Sequence, residues 1–439
     1  MFTRKRIRNR ERSLVLMWQR LLGKELITEE GERVKGIYPG RVSGDSGPDF
    51  REAIIAMDGS ELKKGDVEVH VKSSDWYNHG HHADPEYNNV ILHVVGWHDC
   101  SSATLRQDGK SVPLLCLSTT LHQPYLVPHH QLPCSRIQQR VDCQTLTRLL
   151  NVAGEERFKR KAMHFHLGLQ QEEAKQALWN HMMRALGYSK NTKPFEELAH
   201  RVPLNFIESI KPEESLVLKQ AWLLGTAGLL PSQRSRGEFS QEEEIRELEQ
   251  VWRSAGKGAK TMKQSDWNLW RIYPNNSPVR RIVAQSYLLQ RYYGKGLLWG
   301  MLQLVKETPL TAGHRWLEDG LCVLGAGYWQ GHFDFYVRSK TRGAALLGKD
   351  KASEIVVNVI LPFAFSWGEM ANEPELKGKA IELYNCYPKL TENEVTRHMA
   401  RQLRLKGTAD FTACHQQGLI HVFRNYCREG RCCECPLAS

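Results

Sequence analysis

The sequence predicts an α/β domain built on a mixed sheet at residues 1–135, an all-α domain at residues 136–405, and a cysteine-rich tail at residues 406–439. Three observations carry this reading. Apolar residues alternate with polar ones, or run unbroken for one strand length, through residue 119. Beyond residue 140 the apolar spacing changes to that of helices. The final segment gathers cysteines at short spacing. A chain of 439 residues also exceeds what one ordinary core organises, which agrees with more than one domain.

The elements of the first domain follow in order. In residues 11–23, Leu14, Met17, Trp18 and Leu21 recur at helical spacing. The segment VKGIYPG is short and extended. FREAIIAM and DVEVHVK are strands separated by a turn at Asp58-Gly59. NNVILHVVGW is nearly continuous in apolar residues, as expected for a central strand covered on both faces. SVPLLCLST is a further strand. Residues 120–140 are rich in Pro, His and Gln and mark the domain boundary.

Helices are expected over residues 146–169 and 171–188, the second stopped at Gly187. Another runs through ESLVLKQAWLLGTAGLL and ends before Pro231. SQEEEIRELEQVWRSAG carries Ser240 as an N-cap and three acids in its first turn, which complement the helix dipole. Residues 279–306, 352–368 and 391–404 also fit helices. The glycine patches GTAGLL and LGAGYWQG lack the spacing of a phosphate loop and the Lys-Ser or Lys-Thr that would follow it.

The chemistry concentrates at residues 40–82. In DVEVHVK, Asp66, Glu68, His70 and Lys72 alternate with Val67, Val69 and Val71. Period two puts the four ionisable side chains on one face and the valines on the other. Asp49, in GPDF, stands at the mouth of the preceding strand. Carboxylates grouped this way suit a divalent cation, with Asp49 and Glu68 as ligands of Mg²⁺ or Mn²⁺ and Asp66 behind them. His70 or Lys72 would compensate charge at a scissile phosphate. The loop YNHGHHADPEY brings His79 and His82 within reach of substrate or metal, whereas His81 reads as an exposed loop residue and His93 as a core histidine.

This layout resembles the PD-(D/E)XK nucleases, with Pro48, Asp49 and Glu68 on the family's motif positions and His70 where its lysine would stand. The resemblance implies a nuclease-like fold, in which one helix precedes a mixed sheet, and metal-dependent cleavage of phosphodiesters. The words GPDF, EVH, SSDW, HGHH, DPEYNNVILHVV and WRIYPNNSPVRRI, together with the cysteine tail, also resemble a bacterial family of unknown function over most of the chain.

Two further groups complete the candidates. Arg271, Arg280 and Arg281 stand beside Trp270 and Tyr273, a combination that serves phosphate binding and base stacking or, as the preferred reading, a rigid loop packing helix against helix. In the tail, Cys427, Cys432 and Cys435 form a C-x4-C-x2-C spacing suited to Zn²⁺ or an iron–sulfur cluster. The fourth ligand is expected from Cys414, with Cys433 and His415 as alternatives, zinc preferred, and the centre pinning the C-terminus to the helical domain.

Composition sets the outer limits. Net charge is +11, from 60 basic and 49 acidic residues, which favours a polyanionic partner, nucleic acid first and an anionic membrane second. No apolar run reaches the roughly 18 residues that span a bilayer. The 11 cysteines are odd in number and scattered, unlike a secreted disulfide framework, and a cytoplasmic location is expected. The basic stretch at residues 3–12 reads as an arm for polyanions. The expected function is a metal-dependent nuclease acting on DNA in repair or defence, able to oligomerise. The rivals are a non-catalytic nucleic-acid-binding protein and a small-molecule metallohydrolase.

Overall fold

The computed structural model describes residues 14–43, 47–58, 61–120, 134, 137, 141–171, 173–188, 190–211, 216–234, 242–269, 276–339, 343–405, 410–429 and 431–438. The basic N-terminal arm, Ser240, Arg271 and most of the 120–140 boundary lie outside them. The chain forms two compact units. One comprises Met1–Leu146, Asn393–Lys406 and Val422–Ser439, the other Thr147–Glu392 and Gly407–His421. The first break falls close to the expected boundary. The tail, however, belongs with the N-terminal unit, as does the segment that carries the helix Glu394–Gln402.

The N-terminal unit is built on a mixed sheet. A helix over residues 14–21 precedes β1 (Glu25–Ile27), β2 (Arg33–Tyr38), β3 (Arg41–Val42), β4 (Phe50–Met57) and β5 (Glu61–Lys72). After a short helix at Asp75–Asn78 come β6 (Val90–Trp97) and β7 (Leu114–Cys116). The sheet order is β1-β2-β4-β5-β6-β7, with β3 on β4. Pairing is antiparallel through β4–β5 and parallel for β5–β6 and β6–β7. The period-two pattern of β5 decides which face is which. Val67, Val69 and Val71 join Phe50, Ile55, Leu92 and Val94 under Leu14, Trp18 and Leu21 of the first helix. The opposite face is left to Asp66, Glu68 and His70, all buried beneath the loop that follows β5.

A bulge fixes where β4 meets β5. The register shifts between Phe50 and Ala53, and Glu52 takes a left-handed φ of 58°. The Glu52 amide donates to Asp66 Oδ1 at 2.9 Å, while the Glu52 side chain pairs with Arg41 and Arg428. Asp66 Oδ1 thus holds the bulge.

The other unit is helical around one large apolar core. Three sequence expectations need adjustment. The stretch 279–306 is two helices, Pro278–Arg291 and Leu297–Glu307, because the intervening Gly296 sits at φ 78°, a conformation a helix interior does not allow. The stretch 352–368 is one continuous run from Lys349 to Met370 that widens into a π turn at Val356–Ile360. Pro362 stands two residues beyond that turn. A proline has no amide hydrogen and collides with the carbonyl four residues back, and the wider turn relieves both problems. The helix expected to start at Ser240 begins at Glu243, with Glu243 and Glu244 in its first turn.

Candidate metal centre

The centre is assembled by β5, its parallel neighbour β6 and the loop between them. β5 delivers Glu68 and His70 to the same face two residues apart, and the parallel register sets His93 of β6 opposite Glu68. Asp49 enters from the mouth of β4. Its amide donates to Glu68 Oε2 at 2.8 Å, and its own Oδ2 accepts from the Val69 amide at 3.1 Å. These two bonds clasp the start of β4 to the middle of β5 and orient the Glu68 carboxylate, leaving Oε1 turned the other way.

The loop supplies the remaining groups. Trp76 is fully buried, with its indole nitrogen donating to the Leu105 carbonyl at 2.8 Å, and it anchors the short helix Asp75–Asn78. Asp99 accepts from both the amide and the hydroxyl of Ser74 at 3.0 Å, and these bonds hold its carboxyl down to about 2. Gly80 then adopts φ 78°, which reverses the chain between His79 and His81 and lets both rings turn toward β5. Asp84 caps the next turn by accepting from the Glu86 amide at 2.9 Å.

The result is a cluster of imidazoles. Among the described residues, His70, His79 and His81 offer ligand atoms that all lie within 4.8 Å of one another. Glu68 Oε1 sits 3.3 Å from His70 Nε2 and 3.5 Å from His81 Nε2. His79 Nδ1 is 3.2 Å from the same His70 nitrogen. His70 and His81 are buried, while His79 is exposed and opens the cluster to solvent on its side. Tyr87 stacks on His81, ring centroids 3.8 Å apart, and closes another side.

Burial favours the neutral form of the His70 and His81 rings. Desolvation, reinforced by His93, His81 and His79, holds His70 well below its ordinary value. Burial and the neighbouring His79 push His81 down to about 4, against the pull of Asp84. A neutral imidazole carries the lone pair that a metal takes. His81 Nε2 has no hydrogen-bond partner although it is buried facing Glu68, so a cation there would satisfy an otherwise stranded atom. The donor set fits a metal on this observation, and three imidazoles with one carboxylate oxygen suit Zn²⁺, Fe²⁺ or Mn²⁺ better than Mg²⁺.

His93 has a supporting role. It is fully buried, its Nε2 lies 2.9 Å from His70 Nδ1, and its Nδ1 lies 3.2 Å from Thr104 Oγ1. With a metal on His70 Nε2, the His70 Nδ1–H donates to His93 and the His93 Nδ1–H donates to Thr104. Such an outer partner fixes the tautomer and ring orientation of a ligand. His93→Gln is expected to lower Mn²⁺ or Zn²⁺ affinity by roughly 10–100-fold, the usual cost of losing that support, measurable by calorimetry.

The same burial predicts an acid response. In the folded chain His93 is pushed down to about 3, and His398, which packs against Tyr38 and Phe423, to about 4, both chiefly by desolvation. In the unfolded chain these rings take protons near pH 6.5. Their contribution to stability is therefore complete above about pH 6.5 and is lost as pH falls toward 4. Metal-free protein in chelator should lose melting temperature steadily between pH 6.5 and 5, above the range where ordinary carboxylates titrate. A flat profile there would contradict the assignment.

The other expected site residues fall elsewhere. Lys72 is exposed and pairs with Asp99 at 3.3 Å, so His70 is the residue that stands with Glu68. His82 is exposed beside Tyr77 and outside the imidazole cluster, while His81, expected on the surface, is buried within it. Arg280 and Arg281 belong to the helical unit and are buried. Arg280 donates to the carbonyls of His332, Ala344 and Ala345, and Arg281 to that of Leu346 and to Tyr188 and Asn276. Both guanidinium groups tie loops to a helix instead of facing a substrate. Cys414 also lies in the helical unit, buried, with its thiol donating to the Asn151 carbonyl at 3.5 Å. His415 accepts there from the Thr412 amide. The sequence signal for His93 and Thr104 was absent, since a parallel partner strand leaves no short-range pattern.

No helix is long and apolar enough to cross a membrane among the described residues. Neither the curated proteins nor the solved structures contain a match to the chain. The family model described as "Protein of unknown function (DUF2851)" matches residues 11–393, and on that extent the chain, with its Glu68 and histidine cluster inside the matched region, belongs to this family.

Proposed function

We propose that the N-terminal unit is a metal-dependent phosphodiesterase that cleaves DNA, in repair or defence. The observation that carries the reading is the convergence of Glu68, His70, His79 and His81 at one end of β5, open to solvent at His79. The order of elements supports it: a helix precedes a mixed sheet, Asp49 stands just before β4, and Glu68 lies on β5. One helix followed by a mixed sheet is what the resemblance to PD-(D/E)XK nucleases implies.

Glu68, His70, His79 and His81 would hold the metal, which when bound supplies a water activated for in-line attack and positive charge against the phosphoryl oxygens. Glu68 fixes the negative charge of the centre. His93 and Thr104 hold the His70 ring in place. Tyr87 excludes water behind His81, and the side at His79 admits the substrate. The tail cysteines are read as a separate, structural metal centre.

One observation favours a second reading, hydrolysis of a small-molecule ester. His70 occupies the position of the family's lysine and is held neutral, so it brings no charge to a polyanion. The test is to incubate the purified protein with supercoiled DNA and with a small aryl phosphodiester, in Mn²⁺, Zn²⁺, Mg²⁺ or chelator. Nicking of DNA with Mn²⁺ that chelator abolishes is the expected result. Turnover of the small ester alone selects the second reading. DNA binding without turnover of either selects a non-catalytic binder.

DNA binding should be electrostatic, given the net charge of +11. Affinity is expected to fall about a hundredfold between about 50 and about 200 mM salt, the value for roughly four neutralised phosphates. Fluorescence anisotropy in chelator measures this without cleavage, and affinity indifferent to salt would rule it out.

A further inference from the structure

The cysteines of the tail meet a partner that their spacing does not announce. The N-terminal unit is made of three chain segments, and each contributes to one sulfur-rich pocket. Cys134 comes from the first, Gln402 from the second, and Cys427, Cys432 and Cys435 from the third. Gln402 Nε2 lies 3.2 Å from Cys134 Sγ and 4.0 Å from Cys427 Sγ, so a single amide group touches both sulfurs. The Gln402 Oε1 is buried without a hydrogen-bond partner, which marks the pocket as incompletely satisfied. Cys134, Cys427 and Cys435 are buried and Cys432 partly so, and no cysteine of the chain is in a disulfide.

The tail is shaped to present its thiols inward. A π turn at Phe423–Cys427 ends the helix, and the Arg431 amide returns to the Tyr426 carbonyl at 2.9 Å. The turn Cys432–Glu434 is closed by the Cys435 amide donating to the Cys432 carbonyl at 3.2 Å. Cys433, between two inward cysteines, is exposed. Burial and then the sulfurs of Cys134, Cys435 and Cys432 push the Cys427 thiol well up, and Cys435 is raised by burial and by Cys134 and Cys432. Cys134 is raised by burial and by Cys432. Cys427 thus feels the other three, Cys435 feels Cys134 and Cys432, and Cys134 feels Cys432, while Cys432 itself is raised by burial and by Cys433. Buried thiols that disfavour one another's charge are what a cation would relieve.

We propose that Cys134, Cys427, Cys432 and Cys435 are the four ligands of a [4Fe–4S] cluster. The inference rests on the reading of the tail as a metal centre and goes beyond it in naming Cys134 and the cluster. Spacing selects the cluster over zinc. One Zn²⁺ at about 2.3 Å from each sulfur holds its thiolates roughly 3.8 Å apart. Among the described residues no three cysteine sulfurs lie within 4.8 Å of one another. The cubane places iron between its ligands and sets the sulfurs wider apart. A cysteine followed by proline, as in Cys435-Pro436, also closes cluster motifs. The centre joins the first and third chain segments of the N-terminal unit, which are far apart in sequence. Its role is to staple a fold that the chain leaves and re-enters, since metal affinity becomes folding free energy.

The full chain, purified without oxygen, should be brown and contain about four iron and four acid-labile sulfide per chain. Alkylation followed by peptide mapping on this native protein should leave Cys134 unlabelled until the iron is removed with oxidant and chelator. Cys134→Ser should lower bound iron at least severalfold, while Cys414→Ser and Cys433→Ser keep it. Protein that binds zinc but no iron overturns the cluster. Iron retained in Cys134→Ser, or Cys134 labelled equally before and after iron removal, overturns Cys134 as ligand. Absence of any bound metal overturns the metal-centre reading itself. The labelling arm needs no variant, so a Cys134→Ser chain that fails to fold does not decide the matter.

Discussion

Glu68→Gln is expected to lower metal-dependent cleavage by on the order of 10²–10³-fold, the range for loss of one preorganised charge-stabilising group. The substitution keeps an oxygen that can accept from the Asp49 amide, now 2.8 Å from Glu68 Oε2, so the clasp between β4 and β5 survives. It removes the negative charge that faces His70 and His81. Stability should change by only about 1 kcal/mol, the scale of one hydrogen bond. Cleavage rates and thermal melts on the same preparations make the comparison. Lost cleavage with an intact melt assigns Glu68 to the metal. Cleavage at the wild-type rate would remove Glu68 from the centre and with it the proposed chemistry.

The second large effect is on folding. Arg280→Ala is expected to destabilise the helical unit by about 3–5 kcal/mol. The guanidinium is almost wholly buried and donates to three carbonyls, at 2.6 Å to His332, 2.6 Å to Ala344 and 3.1 Å to Ala345. Each acceptor left without a donor costs about 1–3 kcal/mol. DNA affinity of whatever folded protein remains should be unchanged, because the side chain faces loops of its own unit. Denaturant melts and anisotropy at low temperature separate the two effects. A stable variant with weakened DNA binding would return Arg280 to the role its arginine-aromatic neighbourhood suggested.

The sequence exposed parts of this structure that depend on local periodicity. The alternation in DVEVHVK located Glu68 and His70 on one buried face, and the continuous apolar run of β6 marked a central strand. Elements that depend on chain return were hidden. His93 supports His70 only because β5 and β6 are parallel, and His81 is buried only because Gly80 turns the loop back over the sheet. The functional pull of Arg280 and Arg281 came from composition, which does not distinguish a displayed guanidinium from one that satisfies carbonyls. Cys134 stands in a segment rich in Pro, His and Gln, far in sequence from the tail cysteines. Cys414 is the nearer neighbour in sequence, but it belongs to the helical unit. The break at Gly296 was legible in its glycines, but the apolar pattern on both sides ran in phase and masked it.

The centre itself is tested most directly by anomalous diffraction from crystals soaked in Mn²⁺ or Zn²⁺. The account predicts one strong anomalous peak within bonding distance of Glu68, His70 and His81, with His79 as the ligand on the open side. A saturating soak that leaves this position without a peak, or a peak held by other side chains, would contradict it.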